Sequence, residues 1–255
     1  MSDAGAEALK HVEWAELIEH ALTAPGSLGR TYSRFHDYSF GNMVLLLMQG
    51  VNEPVAGLRR WNDMGRRVIK GSRAKTIMVP LKGKVEDERG DQHMVLRGFK
   101  FAKCLFGLSQ TEGEPVPEVE PAEWSRARAL GALAIREVGF ESTDGNTQGY
   151  SQERNIAINP VAAYPMKTTL HEISHVLAGH TAAGSGYAEH RGVAEFVAEG
   201  SAYLCMNELG LQDEMDAAES RAYIQHWLRD ERPEDKHIRQ VFSVTDQILK
   251  AGRTA

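Results

Sequence analysis

The sequence predicts an α+β protein: a small mixed N-terminal domain, residues 1–114, followed by a mainly helical domain, residues 115–255. Three observations carry this. Of 255 residues, 42% are hydrophobic and 25% charged, which is ordinary globular usage. The β-rich runs KTIMVPLKGK (75–84) and MVLRGFKFAKCLFGL (94–108) fall in the first part, whereas apolar residues of the second part recur at helical spacing. Between them lies TEGEPVPEVEPAEW (111–124), with three prolines and no apolar periodicity, which reads as an extended linker with a boundary near residue 115.

In chain order, Trp14, Leu17, Ile18, Ala21 and Leu22 share one face of a helix within 6–22. The run 42–48 is a buried helical segment, and 62–68 is expected as a short helix after Trp61. The two β-rich runs form a small sheet, joined by the charged turn 85–93. In the second domain Pro121 opens a helix to about Gly139, and 145–152 is loop. Residues 154–158 form a short strand ended by Pro160, read either as an edge strand that holds an extended polypeptide by strand addition or as one that only completes a small sheet. Helices follow from 161 or 166 to 179, over 191–209 with Gly210 as C-cap, and over 217–229 and 234–251.

The longest unbroken apolar run is Met43 to Met48, far short of the roughly 20 residues of a membrane span. The first 20 residues hold acids and no apolar core, so no signal peptide is read there. Cys104 and Cys205 sit among apolar neighbours and read as reduced thiols of a cytoplasmic protein. The net charge of −6 is uneven: residues 1–110 carry 16 basic and 12 acidic residues, and 111–255 carry 13 and 23. Residues 30–84 alone hold 11 basic against 3 acidic, which suggests a local anionic partner.

The sharpest chemical signal is His171-Glu172-Ile173-Ser174-His175. On a helix, positions i and i+4 share a face, so His171 and His175 can offer two imidazoles to one Zn²⁺. Glu172 then lies beside the ion as a general base. Two histidines hold zinc poorly, and a third ligand is sought on the next helix, in Glu195-Phe-Val-Ala-Glu199. One glutamate would bind the ion and the other would hydrogen-bond a ligating histidine. In gluzincins the ligand glutamate precedes its supporting acid by four residues. That resemblance assigns Glu195 as ligand and Glu199 as support, with the reverse left open. His180 and His190 are competing ligands, but their spacing does not follow the HExxHxxGxxH pattern.

In the basic region Tyr32, Phe35, Tyr38 and Phe40 interleave with Arg30, Arg34 and His36. Arg59, Arg60, Trp61, Arg66, Arg67, Lys70, Arg73 and Lys75 follow. Aromatics that stack bases and cations that track phosphates are the elements of single-stranded DNA binding. No helix-turn-helix, zinc-finger or RRM signature is present.

Together these segments resemble the ArdC antirestriction family of mobile elements. The matches are Tyr38-Ser-Phe-Gly-Asn42; Val55-Ala-Gly57 with Trp61; Gly65-Arg66 with Val68, Lys70 and Gly71; Ile77 to Pro80; Leu108 to Pro115; HEISHVLAGH (171–180) and HRGVAEFVAEGSAYL (190–204). The resemblance implies an N-terminal domain that binds single-stranded DNA, with Asn42 added to its contacts. It also implies a C-terminal zincin-like metallopeptidase domain, a polypeptide substrate and no membrane. Ala194 departs from the further acid that relatives often carry there, and 211–255 is less recognisable. Two rivals stand beside this reading: a regulatory metalloprotease of the ImmA/IrrE kind, and a non-enzymatic DNA-binding protein whose metal is structural.

Overall fold

The computed structural model describes residues 13–23, 38–86, 92–116, 123–141, 147–184, 191–231 and 233–253. Tyr32, Phe35, Arg30, Arg34, His36, Pro121, the turn tip 87–91 and His190 lie outside the described residues. The chain is α+β and divides into two compact units, one of residues 42–118 and one of 13–41 with 119–255.

The first unit holds most of α2 (Phe40–Met48), β1 (Val55–Gly57), α3 (Leu58–Asp63), β2 (Arg66–Val68), β3 (Lys75–Glu86), β4 (Gln92–Gly107) and β5 (Thr111–Gly113). One antiparallel sheet has the order β1-β4-β3, and β2 pairs with β5 in a second. The expected helix over 62–68 is corrected. The helix runs over α3 instead and ends where Gly65 adopts φ 72°, and Arg66–Val68 then leaves as a strand. β5 also takes up the first residues of the expected linker.

Val44, Leu45, Leu46, Trp61, Ile77, Met78 and Leu105 are buried in this unit. The outer edge of β3 has no neighbouring strand where α2 faces it. The Asn42 amide instead pairs with both the N–H and C=O of Met78, at 2.8 and 2.9 Å. Gln49 does the same for Thr76, at 2.8 Å to each group. Two side-chain amides thus satisfy backbone groups that burial would otherwise orphan.

The second unit contains α1 (Trp14–Thr23), α4 (Arg126–Ala132), β6 (Arg136–Glu137), β7 (Gly149–Gln152), β8 (Asn155–Ile158), α5 (Pro165–Leu177), α6 (Arg191–Glu208), α7 (Ala217–His226), a π-helical turn (Trp227–Glu231) and α8 (Asp235–Ala251). Although α1 comes early in sequence, its buried face of Leu17, Ile18, Ala21 and Leu22 belongs here, and its Trp14 ring packs on Phe242 of α8. α6 forms the centre: Phe196, Val197, Leu204 and Met206 are wholly buried between α5, α7 and α8. Pro165 opens α5 at its first turn, and the Ser125 and Asp216 side chains cap α4 and α7. The helix expected from Pro121 to Gly139 is shorter, because Arg136 and Glu137 pair in parallel with β8.

The sheet order β6-β8-β7 decides between the two readings of the strand 154–158. The strand 154–158 is central rather than an edge, because β8 is bonded on both sides. β7 holds the outer position next to α5. Gly149 permits that approach: a Cβ there would stand 2.7 Å from Thr168 Cγ2 and 3.0 Å from the Ala157 carbonyl oxygen.

Candidate metal centre

Leu170, Ile173 and Val176 anchor one face of α5 in the core, and this turns His171 and His175 together toward α6. α6 meets them with Glu195, one turn from its start, and with Glu199 a turn further on. The Nε2 atoms of the two histidines are 3.1 Å apart. Glu195 Oε2 lies 3.3 Å from His171 Nε2, and Oε1 lies 3.7 Å from His175 Nε2.

These distances can be tested against an ion. Donors around a tetrahedral zinc with bonds of about 2.0–2.1 Å stand about 3.3–3.4 Å from one another. The observed triangle brackets that value, and His171, His175 and Glu195 have their ligand atoms within 4.8 Å of one another. Two imidazoles and one carboxylate also form a donor set that suits a borderline divalent metal.

Behind the triangle, both histidines are held from their other nitrogen. Glu199 Oε2 lies 3.3 Å from His171 Nδ1, and Lys167 Nζ lies 2.7 Å from Glu199 Oε1. A lysine four residues before His171 therefore supplies a cation to Glu199. His180 Nδ1 sits 3.0 Å from His175 Nδ1. A His175 ring that gives Nε2 to a metal carries its proton on Nδ1, where His180 stands to accept it. His180 thus supports His175 from the rear instead of completing a fourth ligand position.

The electrostatics agree. Burial would lower the pKa of His171, but hydrogen bonds to Glu195 and Glu199 outweigh it and raise it to about 9. Burial would raise Glu199, yet His171 and Lys167 bring it down to about 2. His180 is lowered to about 4 by burial and by the neighbouring His175, so it is neutral and able to accept.

Glu172 is buried beside the triangle, and its Oε2 accepts a hydrogen bond from Ser151 Oγ at 2.7 Å. A cleft of about 360 Å³ opens over these groups, walled by Gly149, Tyr150 and Ser151 of β7 and by Arg191 at the start of α6. Sequence reasoning missed Ser151, Lys167 and Arg191. Only Lys167 had a local signal, its four-residue spacing from His171.

The residues expected to bind DNA divide by exposure. Phe40 is buried with its ring 5.7 Å from Phe242, and Tyr38 is half-buried. Trp61 is buried and donates from Nε1 to the Phe106 carbonyl at 2.9 Å. Arg66 is buried, and its guanidinium bonds Thr111 Oγ1 and the carbonyls of Thr111, Gly113 and Glu114. Asn42 caps the sheet edge. Phe40, Trp61, Asn42 and Arg66 are therefore corrected to structural positions, because their stacking or charged groups do not face solvent. Arg59, Arg60, Arg67 and Lys70 are exposed, and Lys75 is half-buried.

The fold and site define a class: a mixed α+β chain of two compact units, the second of which brings His171, His175 and Glu195 within reach of one divalent ion. Residues 5–107 match the family model of the N-terminal domain of anti-restriction factor ArdC. The metal-free crystal structure of the antirestriction ArdC protein from plasmid R388 is 19% identical, with 94% of each chain covered and a TM-score of 0.53. The Mn(II)-bound structure is 17% identical, with 95% of this chain and 98% of that chain covered and a TM-score of 0.54. Comparison with curated proteins gave no match. Residues 5–107 are thus similar to the ArdC N-terminal domain, and the chain shares the fold of the R388 protein.

Proposed function

We propose that this protein is an antirestriction-type, single-stranded-DNA-binding protein whose helical unit is a zinc metallopeptidase. The observation that carries the reading is the convergence of His171, His175 and Glu195, with Glu172 at their side. His171, His175 and Glu195 would hold Zn²⁺, with Glu199 and His180 fixing the two imidazole rings. The Mn(II) bound by ArdC of plasmid R388 supports a divalent ion in this fold.

When bound, the ion lowers the pKa of water and polarises a carbonyl. Glu172 holds the proton that the attacking water gives up and delivers it to the leaving nitrogen. The Ser151 hydroxyl holds Oε2 of Glu172, which leaves Oε1 for that proton. The outer edge of β7 runs along the cleft, where it would hold an extended polypeptide by strand addition. In the first unit, the exposed cations Arg59, Arg60, Arg67 and Lys70, with Lys75, would neutralise DNA phosphates. Among the described residues no helix is long and apolar enough to cross a membrane, which suits a cytoplasmic protein that meets incoming DNA.

The test pairs two readouts on the full chain. Zinc content is measured after gel filtration, and cleavage of labelled casein is followed with and without single-stranded DNA. The Glu172→Ala variant is expected to keep its zinc and lose at least about 99% of cleavage. Loss of zinc in that variant would make Glu172 structural. Cleavage of one protein partner regardless of DNA would instead mark a regulatory protease.

A further inference from the structure

The β3–β4 hairpin is longer than the sheet it serves. β1 pairs with β4 only at Leu105 to Gly107, and the amides of Asn42 and Gln49 cap β3 only at Thr76 and Met78. Beyond these points the two strands continue as a two-stranded ribbon, 80–86 against 92–99. Such a ribbon buries little and is marginal on its own. Its composition does not suit solvent: Leu81, Val85, Met94, Val95 and Phe99 are exposed large apolar residues, Met94 at 59% and Phe99 at 46%.

The register sorts these side chains. Residues opposite one another share a face, so Pro80 and Phe99, and Lys84 and Met94, lie on one side with Lys82 between them. That face presents Phe99, Met94, Lys82 and Lys84 together. The other face carries Leu81, Val85 and Val95, and Arg97 lies across it over Gly83 and donates to the Lys84 carbonyl at 3.2 Å. Lys100 pairs with Val79 at the root of this second face. Glu86, opposite Gln92, shares the first face with Lys82 and Lys84 and is the one acid among the described residues 80–86 and 92–100, against Lys82, Lys84, Arg97 and Lys100.

We propose that the β3–β4 ribbon is the grip for single-stranded DNA. Met94 and Phe99 take unstacked bases, and Lys82 and Lys84 on the same face take phosphates. This rests on the DNA half of the proposed function and gives it a location. An apolar ring among lysines favours a single strand, whose bases are open, over a duplex, whose bases are hidden behind phosphates. Four buried residues removed from the interface by the fold, Phe40, Asn42, Trp61 and Arg66, are replaced by exposed ones of the same chemistry.

The experiment is fluorescence anisotropy of the full-length protein with a labelled oligothymidine of about 20 nucleotides and an equal-length duplex, over a salt series. Three double variants are compared: Lys82→Ala with Lys84→Ala, Met94→Ala with Phe99→Ala, and Arg59→Ala with Arg60→Ala. Circular dichroism and thermal melts verify the fold, since the ribbon lies outside the core. The lysine pair is expected to shallow the slope of log affinity against log salt by about 1.4, two contacts at about 0.7 each. The Met94 and Phe99 pair is expected to weaken binding about tenfold or more with the slope unchanged.

Wild-type affinity in both ribbon variants, with loss confined to Arg59 and Arg60, would overturn the ribbon and keep DNA binding. Preference for duplex would also overturn it. Absence of binding by the parent protein at low salt would bring down the functional reading itself and the ribbon with it. A parent protein that self-associates through the ribbon, with DNA binding unmoved in the variants, would assign this surface to a second copy instead.

Discussion

Buried and half-buried polar residues do opposite things in the two units. In the second, His171, His175, Glu195, Glu199 and Lys167 are bonded to one another around a cleft, and each partner fixes a ring or a carboxylate for chemistry. In the first, Asn42 and Gln49 spend their bonds on backbone groups, and Arg66 on three carbonyls and the Thr111 hydroxyl. Burial of a polar side chain is therefore no sign of function by itself. What distinguishes the two is whether the partners are side chains converging on a space or main-chain groups that would otherwise be orphaned.

Glu208 breaks the comparison and gives the largest expected effect. It lies on α6 with Glu195 and Glu199 and is buried, yet neither carboxylate oxygen has a hydrogen-bond partner among the described residues. Burial raises its pKa to about 8, and Arg253 offsets this only in part. The folded chain thus keeps a proton that the unfolded chain, with an ordinary value of about 4.3, has released. Stability from this group falls as pH rises from about 4.3 to 8, and the loss is complete above that. Glu208→Gln has no such titration. Its gain over the parent is expected to be near zero at pH 4 and on the order of 5 kcal/mol by pH 9, read from urea unfolding across pH. Equal pH slopes in both proteins would show that Glu208 is ionised and paired in the fold.

The next effect sharpens the contrast from the other side. Arg66→Ala removes a guanidinium that satisfies the carbonyls of Thr111, Gly113 and Glu114, and so loosens the β2–β5 pair. A loss of about 3–4 kcal/mol is expected in denaturant unfolding, since several acceptors are stranded together. Zinc content should be unchanged. An unaltered midpoint with weaker DNA binding would return Arg66 to the interface.

His180→Ala is expected to act on the metal centre alone. It leaves the ligand triangle intact but frees the His175 ring, and zinc affinity should fall about 10- to 100-fold in competition with a chromophoric chelator. His180→Asn, which retains an acceptor, should recover part of it. A residue that only fills space would change the melting temperature and leave the affinity alone.

Legibility in the sequence followed locality. The pairing of His171 with His175 depends on one helical turn, and Glu195 with Glu199 on another, so both could be read from spacing. Ser151 reaches Glu172 from a separate strand, and His180 turns back on His175 through the loop that ends α5, and neither contact leaves a spacing signature. Arg66-Arg67-Val68 looked helical because its strand partner, Thr111 to Gly113, lies more than forty residues away. In the basic region, composition showed cations and aromatics but not their burial. Phe40 and Trp61 therefore read as stacking platforms until packing placed them inside.

Asn42 gives the smallest effect and the finest discrimination. Its amide donates to the Met78 carbonyl and accepts from the Met78 N–H, so Asn42→Ala strands both groups at a buried sheet edge. Gln49, a few residues on, still closes Thr76, and the strand stays anchored at its start. The expected cost is therefore about 1–2 kcal/mol in denaturant unfolding, with faster hydrogen exchange at the Met78 amide and little change at Thr76. Asn42→Asp keeps the acceptor but loses the donor and sets a carboxylate against the Met78 carbonyl, so it should be at least as harmful as alanine. DNA affinity is expected to follow the fraction folded and nothing more. If either variant weakens single-strand binding while stability and Met78 exchange stay at parental values, the amide reads a base, and the division between structural and functional polar residues fails at this position.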